Sequence, residues 1–258
     1  MEFRDDPKVS PYYANVLLFG PPKTGKSAGA GSTPGLIGYL NTEQPNSTEF
    51  VHELDTEHRI MEVAITKDPK PLLSEIMRSC YPKTGSGFDT WVLDSVGELH
   101  RRLLHAQSRG AVRPSRDAYG DVLREVEDFC RFMVEAPCNF VMVCHDFAVK
   151  DDTTGGFNAM PFTGTSNPSL AMKLLGMVDV IGYTGAVAVD TDEEKRELLY
   201  VSQLVPTLGR PVGVRGRFNK LITEDVKQTG YRQTNLAEWF EVAGIKTPEK
   251  QEKEEAAA

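Results

Sequence analysis

The stretch that decides the fold of this chain is Gly20-Pro21-Pro22-Lys23-Thr24-Gly25-Lys26-Ser27. The eight residues fit the pattern G-x-x-x-x-G-K-[ST] of a phosphate-binding loop without a departure. A short apolar run at residues 15–19 leads directly into the loop, as expected of a buried parallel strand. The preceding strand makes a chance match in a glycine-rich turn the weaker interpretation. The stretch therefore predicts a binding site for a nucleoside triphosphate.

Each part of the loop has an expected role. Consecutive backbone N–H groups form a concavity for an anionic phosphate, and we expect the whole loop and the following Ala28 to contact the nucleotide. Lys26 would place its charge against the β- and γ-phosphates. The Ser27 hydroxyl would be a ligand to Mg²⁺. ATP and Mg²⁺ are therefore the expected cofactors.

The size and composition of the chain suit one α/β domain. It has 258 residues, of which 40% are hydrophobic and 26% charged. Its net charge of −8 argues against an indiscriminate nucleic-acid coat but leaves room for a local basic patch. No run approaches the length that crosses a bilayer, so we expect a cytoplasmic protein without a membrane partner. The four cysteines lack C-x-x-C spacing and are expected to be free thiols rather than metal ligands or disulfides.

Apolar strands alternate with helical patterns along the chain. This alternation predicts an α/β fold with a mostly parallel central sheet flanked by helices. Residues 177–184 and 186–205 read as later strands around a polar turn at residues 190–195, which predicts a C-terminal β-hairpin extension. Residues 146–168 are rich in Gly, Thr, Asn and Pro and predict a long loop. The expected organisation is an N-terminal arm (1–14), one domain (15–245) and a flexible charged tail (246–258).

Two carboxylates follow predicted strands. Asp94 ends the apolar strand at residues 90–94 and is placed like a Walker B carboxylate that holds Mg²⁺; the alternative is a cap for the next helix, with Ser95 close by. Glu43 follows the strand at residues 36–41, which we expect beside the phosphate-loop strand. A glutamate there can accept a proton from the attacking water or align it, whereas the alternative is an exposed loop carboxylate.

His145 ends another buried strand, at residues 139–144. A polar group at that strand end could report the γ-phosphate to the loop that follows. The alternative is a structural histidine that is hydrogen-bonded at the end of its strand.

The order of these elements resembles the RecA-like P-loop ATPase core, and in particular the phage-encoded, single-core ATPases of recombination and single-strand annealing. It consists of the phosphate loop, a strand ending in Asn41-Thr42-Glu43, a strand ending in Leu93-Asp94-Ser95, and a strand ending in a polar residue before a long loop. The resemblance covers residues 15–220. It implies catalysis by Glu43 with Lys26, a magnesium site at Ser27 and Asp94, and a nucleotide sensor at His145. It also implies a DNA-stimulated ATPase that, if phage-encoded, works in the cytoplasm of a bacterial host.

The resemblance implies two DNA-binding loops, one after the helix that follows Asp94 and one after His145. Residues 100–116 contain five arginines and no acidic residue. Arginines there could neutralise the phosphates of single-stranded DNA, and the alternative is a solvated helix end paired with nearby acids. The candidate DNA-binding residues are Arg101, Arg102, Arg109, Arg113, Arg116 and Lys150.

A second basic cluster lies late in the chain. In RecA-like oligomers a cation near this position reaches the γ-phosphate of a neighbouring subunit, where it stabilises developing charge. The candidates are Arg215, Arg217 and Lys220, and a plain surface role is the alternative. The expected partners are further copies of the chain, single-stranded DNA and a phage or host single-strand-binding protein.

Two other functions fit the same loop. A small-molecule or nucleotide kinase would transfer the γ-phosphoryl group to an acceptor, but a glutamate after the second strand favours hydrolysis. A nucleotide-switched loader would remodel a protein partner such as a helicase, and its turnover would not depend on DNA.

Overall fold

The computed structural model describes residues 12–44, 47–65, 68–80, 87–108, 114–151, 153, 155–190, 196–207 and 209–245. The strands in these ranges are β1 (Asn15–Gly20), β2 (Ile37–Asn41), β3 (Ile60–Ala64), β4 (Thr90–Asp94), β5 (Asn139–Lys150), β6 (Phe157–Pro161), β7 (Val180–Asp190), β8 (Arg196–Gln203), β9 (Gly213–Val214) and β10 (Tyr231–Gln233). The helices are α1 (Lys26–Gly31), α2 (Glu49–Leu54), α3 (Lys70–Ser79), α4 (Val96–Gln107), α5 (Arg116–Glu135), α6 (Ser169–Met177), α7 (Glu224–Thr229) and α8 (Leu236–Ala243).

The central sheet has the order β10-β8-β7-β1-β5-β4-β2-β3. The strands from β7 to β3 in this order pair in parallel, whereas β8 and β10 are antiparallel to their neighbours. β7 and β8 form a β-hairpin that extends the sheet on the C-terminal side. The predicted fold class, a mostly parallel sheet flanked by helices with a C-terminal hairpin, is therefore confirmed.

Strand alternation explains why helices cover both faces. In β1, Leu17 and Phe19 belong to one buried cluster, and Val16 and Leu18 belong to the other. The first cluster includes buried residues of α3, α4, α5 and α6, and the second includes residues of α1, α2 and α8. Because successive side chains of a strand point to opposite faces, a continuous apolar run needs a helical layer on each side.

The position of β2 differs from the sequence prediction. We expected the strand before Glu43 to lie beside β1, but β2 pairs with β3 and β4, and β1 pairs with β5 and β7. Two strands therefore separate β2 from the phosphate-loop strand. The strand order depends on pairing between distant segments, which local sequence patterns do not encode.

The predicted long loop at residues 146–168 is also corrected. β5 continues beyond His145, where its pairing with β1 ends, and Asp146–Lys150 then pair antiparallel with β6. Between the two strands, the Gly155 N–H donates to the Asp151 carbonyl (2.8 Å), and the Asp151 N–H donates to the Gly156 carbonyl (2.9 Å). The turn residues have loop composition, but apolar residues on both sides of them form a ribbon.

Some expectations concern residues outside the described ranges. These are most of the N-terminal arm, the polar turn at residues 191–195 and the tail at residues 246–258. β7 runs without the break that we predicted at residue 185. The four cysteines are free and buried, as expected. Among the described helices, none is both long and apolar enough to cross a bilayer.

Candidate functional site

A cavity of about 450 Å³ lies where the phosphate loop meets the ends of β2, β4 and β5. Such crevices at the carboxyl ends of parallel strands are the usual ligand sites of open α/β sheets. The cavity is lined by Pro22, Lys23, Thr24, Gly25, Lys26, Ser27, Ala28, Glu43, Ser47, Phe50, Val51, Asp94, His145 and Tyr200. The fold thus brings Glu43, Asp94 and His145 to one site with the phosphate loop, although they lie far apart in sequence.

The phosphate loop depends on glycine at its most crowded point. Gly25 has φ +79°, and a Cβ atom there would lie 2.3 Å from Cγ of Tyr200. Thr24 fixes the loop from inside, since its hydroxyl donates to the Pro21 carbonyl (2.8 Å) and lies 2.7 Å from the Thr184 hydroxyl. The loop is therefore held in shape by contacts with β7 and β8.

Lys26 is buried with its ammonium group inside the loop. Its Nζ donates to the carbonyl oxygens of Gly20 (3.0 Å) and Pro21 (2.5 Å). Burial lowers the pKa of Lys26, and the nearby Asp94 carboxylate opposes that shift. A phosphate oxygen is a stronger acceptor than these carbonyls, because hydrogen bonds between two charged groups are shorter and stronger.

Ser27 and Asp94 bring two side-chain oxygen atoms together in the cavity. The Ser27 hydroxyl donates to Oδ2 of Asp94 (2.6 Å), and the Tyr39 hydroxyl donates to the same oxygen (2.6 Å). Burial raises the pKa of the Asp94 carboxyl. Mg²⁺ is bound by one or two protein oxygens together with phosphates and water, and its charge would keep a buried carboxylate ionised. The pair therefore fits a magnesium site.

Asp94 is not the cap of the following helix. The Ser95 side chain takes that role, since its hydroxyl accepts a hydrogen bond from the Glu98 N–H (3.4 Å) at the start of α4. The Asp94 carboxylate is thus free of the capping contact that was the alternative to a metal-binding role.

Glu43 lies half-buried on the cavity wall. The Ser95 hydroxyl donates to its Oε1 (2.7 Å), and Nε2 of His145 lies 3.6 Å from the same oxygen. The interaction with His145, followed by the hydrogen bond from Ser95, lowers the pKa of the Glu43 carboxyl. Glu43 is therefore ionised at neutral pH, which a group that accepts a proton from water requires.

A hydrogen-bond network holds the chain at the end of β2. The Asn41 amide donates to Oε1 of Glu62 (2.7 Å), and the Thr48 hydroxyl donates to Oε2 of Glu62 (2.7 Å). Oδ1 of Asn41 accepts from the Glu43 N–H (2.9 Å). The sequence offered no signal for this role of Glu62, because the network joins β2, β3 and α2 across the edge of the sheet.

The basic residues near α4 have different surroundings. Arg101 is exposed and forms an ion pair with Glu98 (2.7 Å), and Arg116 is exposed at the start of α5. Lys150 is exposed at the end of β5. Arg109 and Arg113 lie outside the described residues.

Arg102 differs from Arg101 and Arg116, the other predicted DNA-binding arginines that the structure describes. Its guanidinium donates to the carbonyl oxygens of Thr42 and Glu43. This intramolecular contact is a different one from the DNA contact that the sequence suggested.

The candidates for contact with a neighbouring subunit lie away from the cavity, which is at the carboxyl ends of the parallel strands. Arg215 is bonded to Asp179 (3.1 Å), which precedes β7 at the amino ends of the parallel strands. The Arg217 guanidinium lies 4.8 Å from the centre of the Tyr12 ring. Lys220 is exposed in a 3₁₀ helix at residues 216–221. Within one chain, none of these three cations lines the cavity of the phosphate loop.

Sequence reasoning missed the aromatic part of the cavity wall. Phe50 of α2 and Tyr200 of β8 lie there, and Phe50 is 49% exposed. Tyr200 lies in a segment that the sequence predicts only as a strand, and the sequence reasoning identified no element around Phe50. Their place at the site follows from how α2 and β8 pack around the loop.

His100 of α4 is a buried histidine away from the cavity. It is fully buried, and neither ring nitrogen has a hydrogen-bond partner among the described residues. Its ring stacks on Tyr119, with 6.3 Å between the ring centres, and a Cβ atom on Gly164 would lie 2.4 Å from Nδ1. Burial lowers the pKa of His100, so the imidazole is neutral in the folded protein.

We expect acidification to destabilise the fold through His100. The folded pKa lies below the unfolded value of about 6.5, so the unfolded chain binds the proton first as pH falls. As the pH is lowered from about 6.5, the free energy of unfolding should therefore decrease. This group contributes at most about 1.4 kcal/mol to the decrease for each pH unit. Urea unfolding of the wild type and His100→Phe at several pH values measures the effect. A stability difference that is independent of pH would contradict it.

The sequence and the fold are similar to those of known proteins. A protein-family model described as an AAA domain matches residues 13–211. Among solved structures, the chain is similar to the ATPase DotB of Legionella pneumophila, with 13% identity, a TM-score of 0.32, and coverage of 97% of this chain and 62% of that chain. The chain thus spans less than two thirds of DotB. No curated protein matches.

The family match is independent of that likeness. It begins just before β1 and extends beyond β8, so it takes in the phosphate loop, the parallel strands and the C-terminal hairpin. The chain therefore belongs to the AAA domain family of nucleotide-binding P-loop ATPases.

Proposed function

We propose that this protein is a Mg²⁺-dependent ATPase of the RecA-like kind in which Glu43 directs water at the γ-phosphate. The observation that carries the proposal is the position of Glu43, whose carboxylate lies on the same cavity wall as Lys26 and Asp94. Hydrolysis requires a cradle for the phosphates, a held metal and a group that orients water. All three requirements meet in this cavity.

The expected role of each residue in hydrolysis follows from its surroundings in the cavity. Lys26 would exchange its bonds to the loop carbonyls for phosphate oxygens and stabilise the charge that develops there. Ser27 and Asp94 would hold the magnesium ion, which when bound neutralises charge on the phosphates. Glu43 would orient the attacking water, and Ser95 and His145 would hold its carboxylate in place.

The kinase alternative differs in the fate of the phosphoryl group. An acceptor molecule would occupy the position that we give to water, and the ionised Glu43 would then take the proton of its hydroxyl. Mixing the protein with ATP and candidate acceptors distinguishes the two functions. ADP and free phosphate as the only products support hydrolysis, and a phosphorylated acceptor would overturn it.

We further propose that the ATPase is coupled to single-stranded DNA in recombination or strand annealing. The support is partly sequence, namely the arginines between residues 100 and 116 in a chain of net charge −8. The position of α4 also supports it, because its N-cap residue Ser95 contacts Glu43 and the helix runs into the basic segment, whose first two arginines it carries. A polynucleotide on the segment would therefore act on the helix that contacts the catalytic glutamate.

The same proposal includes a homo-oligomer and a single-strand-binding protein as partners. Arg215, Arg217 or Lys220 would then reach a neighbouring subunit's nucleotide. All three are exposed, although Arg215 would have to leave Asp179 to do so.

Replacing Arg109, Arg113 and Arg116 together with alanine is expected to weaken single-stranded DNA binding and to flatten its salt dependence. Each lost phosphate contact should lower the slope of log K against log salt by roughly 0.7 for a single strand. Binding of a labelled oligonucleotide across a salt series measures this slope. ATP hydrolysis with and without the oligonucleotide, at the same salt concentrations, measures the coupling.

The matched control removes three exposed cations elsewhere: Arg78, Arg131 and Lys227. We expect the control to bind DNA like the wild type. Equal binding by both triple variants would place the DNA site elsewhere. ATP turnover that ignores DNA at every salt concentration would favour the nucleotide-switched loader of a protein partner.

A further inference from the structure

Arg102 makes two hydrogen bonds to the segment that carries Glu43. Its Nε donates to the Thr42 carbonyl (2.5 Å), and its Nη2 donates to the Glu43 carbonyl (2.6 Å). The guanidinium is half-buried and is not part of the cavity wall. Arg102 therefore touches the backbone of the glutamate and does not touch the nucleotide site itself.

Other contacts fix the chain before Glu43. The Thr42 N–H donates to the Asp94 carbonyl (2.7 Å), and the Thr42 hydroxyl is bonded to the backbone of Ser95, donating to its carbonyl (2.8 Å) and accepting from its N–H (2.7 Å). Thr42 is fully buried as a result. Among the described residues, the hydrogen bond to the Glu43 carbonyl comes from Arg102. The chain after Glu43 continues into the exposed Gln44.

The geometry of the two bonds suits a guanidinium group. Its N–H donors form a rigid planar fork, so two carbonyls that are successive in the chain can be held at a fixed spacing. Hydrogen bonds from a charged donor are also stronger than neutral ones, and they gain strength where water is partly excluded. Losing them would remove the donor from the Glu43 carbonyl, although the next carbonyl, that of Gln44, would still accept from the Asn41 amide (3.4 Å) and the Ser47 N–H (2.9 Å).

We propose that Arg102 is a positioning residue for Glu43. It holds the peptide groups on both sides of the glutamate, and the hydroxyl of Ser95, the N-cap residue of the same helix, holds the carboxylate. α4 thereby fixes both the backbone and the side chain of the residue that orients water. This inference rests on the proposed function, because it requires Glu43 to act in hydrolysis.

Steady-state ATP hydrolysis by Arg102→Ala, Arg102→Lys and the control Arg131→Ala, each without DNA, tests the proposal. For Arg102→Ala we expect kcat to fall by about tenfold or more. Misplacing a catalytic group by about 1 Å can lower the rate of a reaction by up to about 100-fold. The KM and the affinity for a non-hydrolysable ATP analogue should stay within about twofold, because uniform binding is unaffected. Arg131 is exposed and paired with Glu127, so its variant should match the wild type.

Arg102→Lys keeps the positive charge but lacks the planar fork. We expect an intermediate kcat, with unfolding behaviour like that of the wild type. This variant also keeps the test decisive if Arg102→Ala does not fold. Wild-type kcat in Arg102→Lys, or in a folded Arg102→Ala, would overturn the proposal.

A double-mutant cycle separates positioning from a general structural role. If Arg102 acts through Glu43, adding Arg102→Ala to Glu43→Gln should lower the residual turnover no further. Losses that multiply in the double variant would show that Arg102 acts independently of Glu43 and would overturn the inference alone. Wild-type turnover by Glu43→Gln alone would instead overturn the proposed function of Glu43, which is a distinguishable result.

Discussion

Replacing Glu43 with glutamine is expected to slow ATP hydrolysis by about 10²- to 10⁴-fold, the range that a positioned general base contributes. Glutamine keeps the size of the side chain and can still accept the hydrogen bond from Ser95. It cannot take a proton from water. The nucleotide should remain bound, because the phosphate loop and the metal-binding oxygens are unchanged.

Two measurements check this expectation. Single-turnover hydrolysis gives the rate of the chemical step, and equilibrium binding of an ATP analogue shows that the site is intact. Glu75→Gln is a suitable control, because Glu75 is exposed on α3 and does not line the cavity. Hydrolysis by Glu43→Gln at the wild-type rate would show that another group orients the water.

The proposed role of Glu43 also predicts the direction of the pH dependence. Its pKa is lowered by His145 and Ser95, so the ionised form persists to lower pH than for an ordinary glutamate. Activity that depends on the carboxylate should therefore be retained on mild acidification and lost only as pH falls through this lowered value.

Replacing Lys26 with alanine is expected to weaken ATP binding by about 100-fold or more and to abolish turnover. Each hydrogen bond to a charged group contributes about 1.5–3 kcal/mol, and Lys26 is placed to make more than one such bond to phosphate. Calorimetric titration with ATP measures the loss of affinity. Lys173→Ala removes an exposed lysine bound to Glu127 and serves as the control.

The stability of the Lys26 variant distinguishes a lost contact from a damaged fold. Burial lowers the pKa of Lys26, which means that the charged form is disfavoured where it lies. Lys26→Met, which keeps an apolar side chain of similar length, should therefore unfold at a temperature no lower than that of the wild type. A folded variant that still binds ATP with wild-type affinity would contradict the role that we give to Lys26.

Much of the nucleotide site could be located from short stretches of sequence. The phosphate loop is a local structure of eight residues after a buried strand, so its residue pattern is sufficient to predict its conformation. Asp94, Glu43 and His145 each follow an apolar run, and the carboxyl ends of parallel strands meet at one edge of a sheet. Their common place at the cavity follows from this rule, even though β2 does not lie beside β1.

Local sequence patterns did not predict the contacts of a residue whose partner lies far along the chain. Arg102 is 60 residues from Thr42, and its basic character suggested a DNA contact. The composition of residues 146–168 predicts a loop, but residues 146–150 form a strand because β6 supplies a pairing partner.

The sequence by itself determined that this protein is an α/β P-loop ATPase, because the phosphate loop and the alternating apolar runs are encoded by residues close to one another. Only the tertiary structure decided which strands are neighbours, that Tyr200 packs against Gly25, and that Arg102 holds the backbone of Glu43. Those contacts join segments tens to more than a hundred residues apart. They depend on how the helical layers pack against the sheet, which the spacing of residues within a short stretch of sequence does not determine.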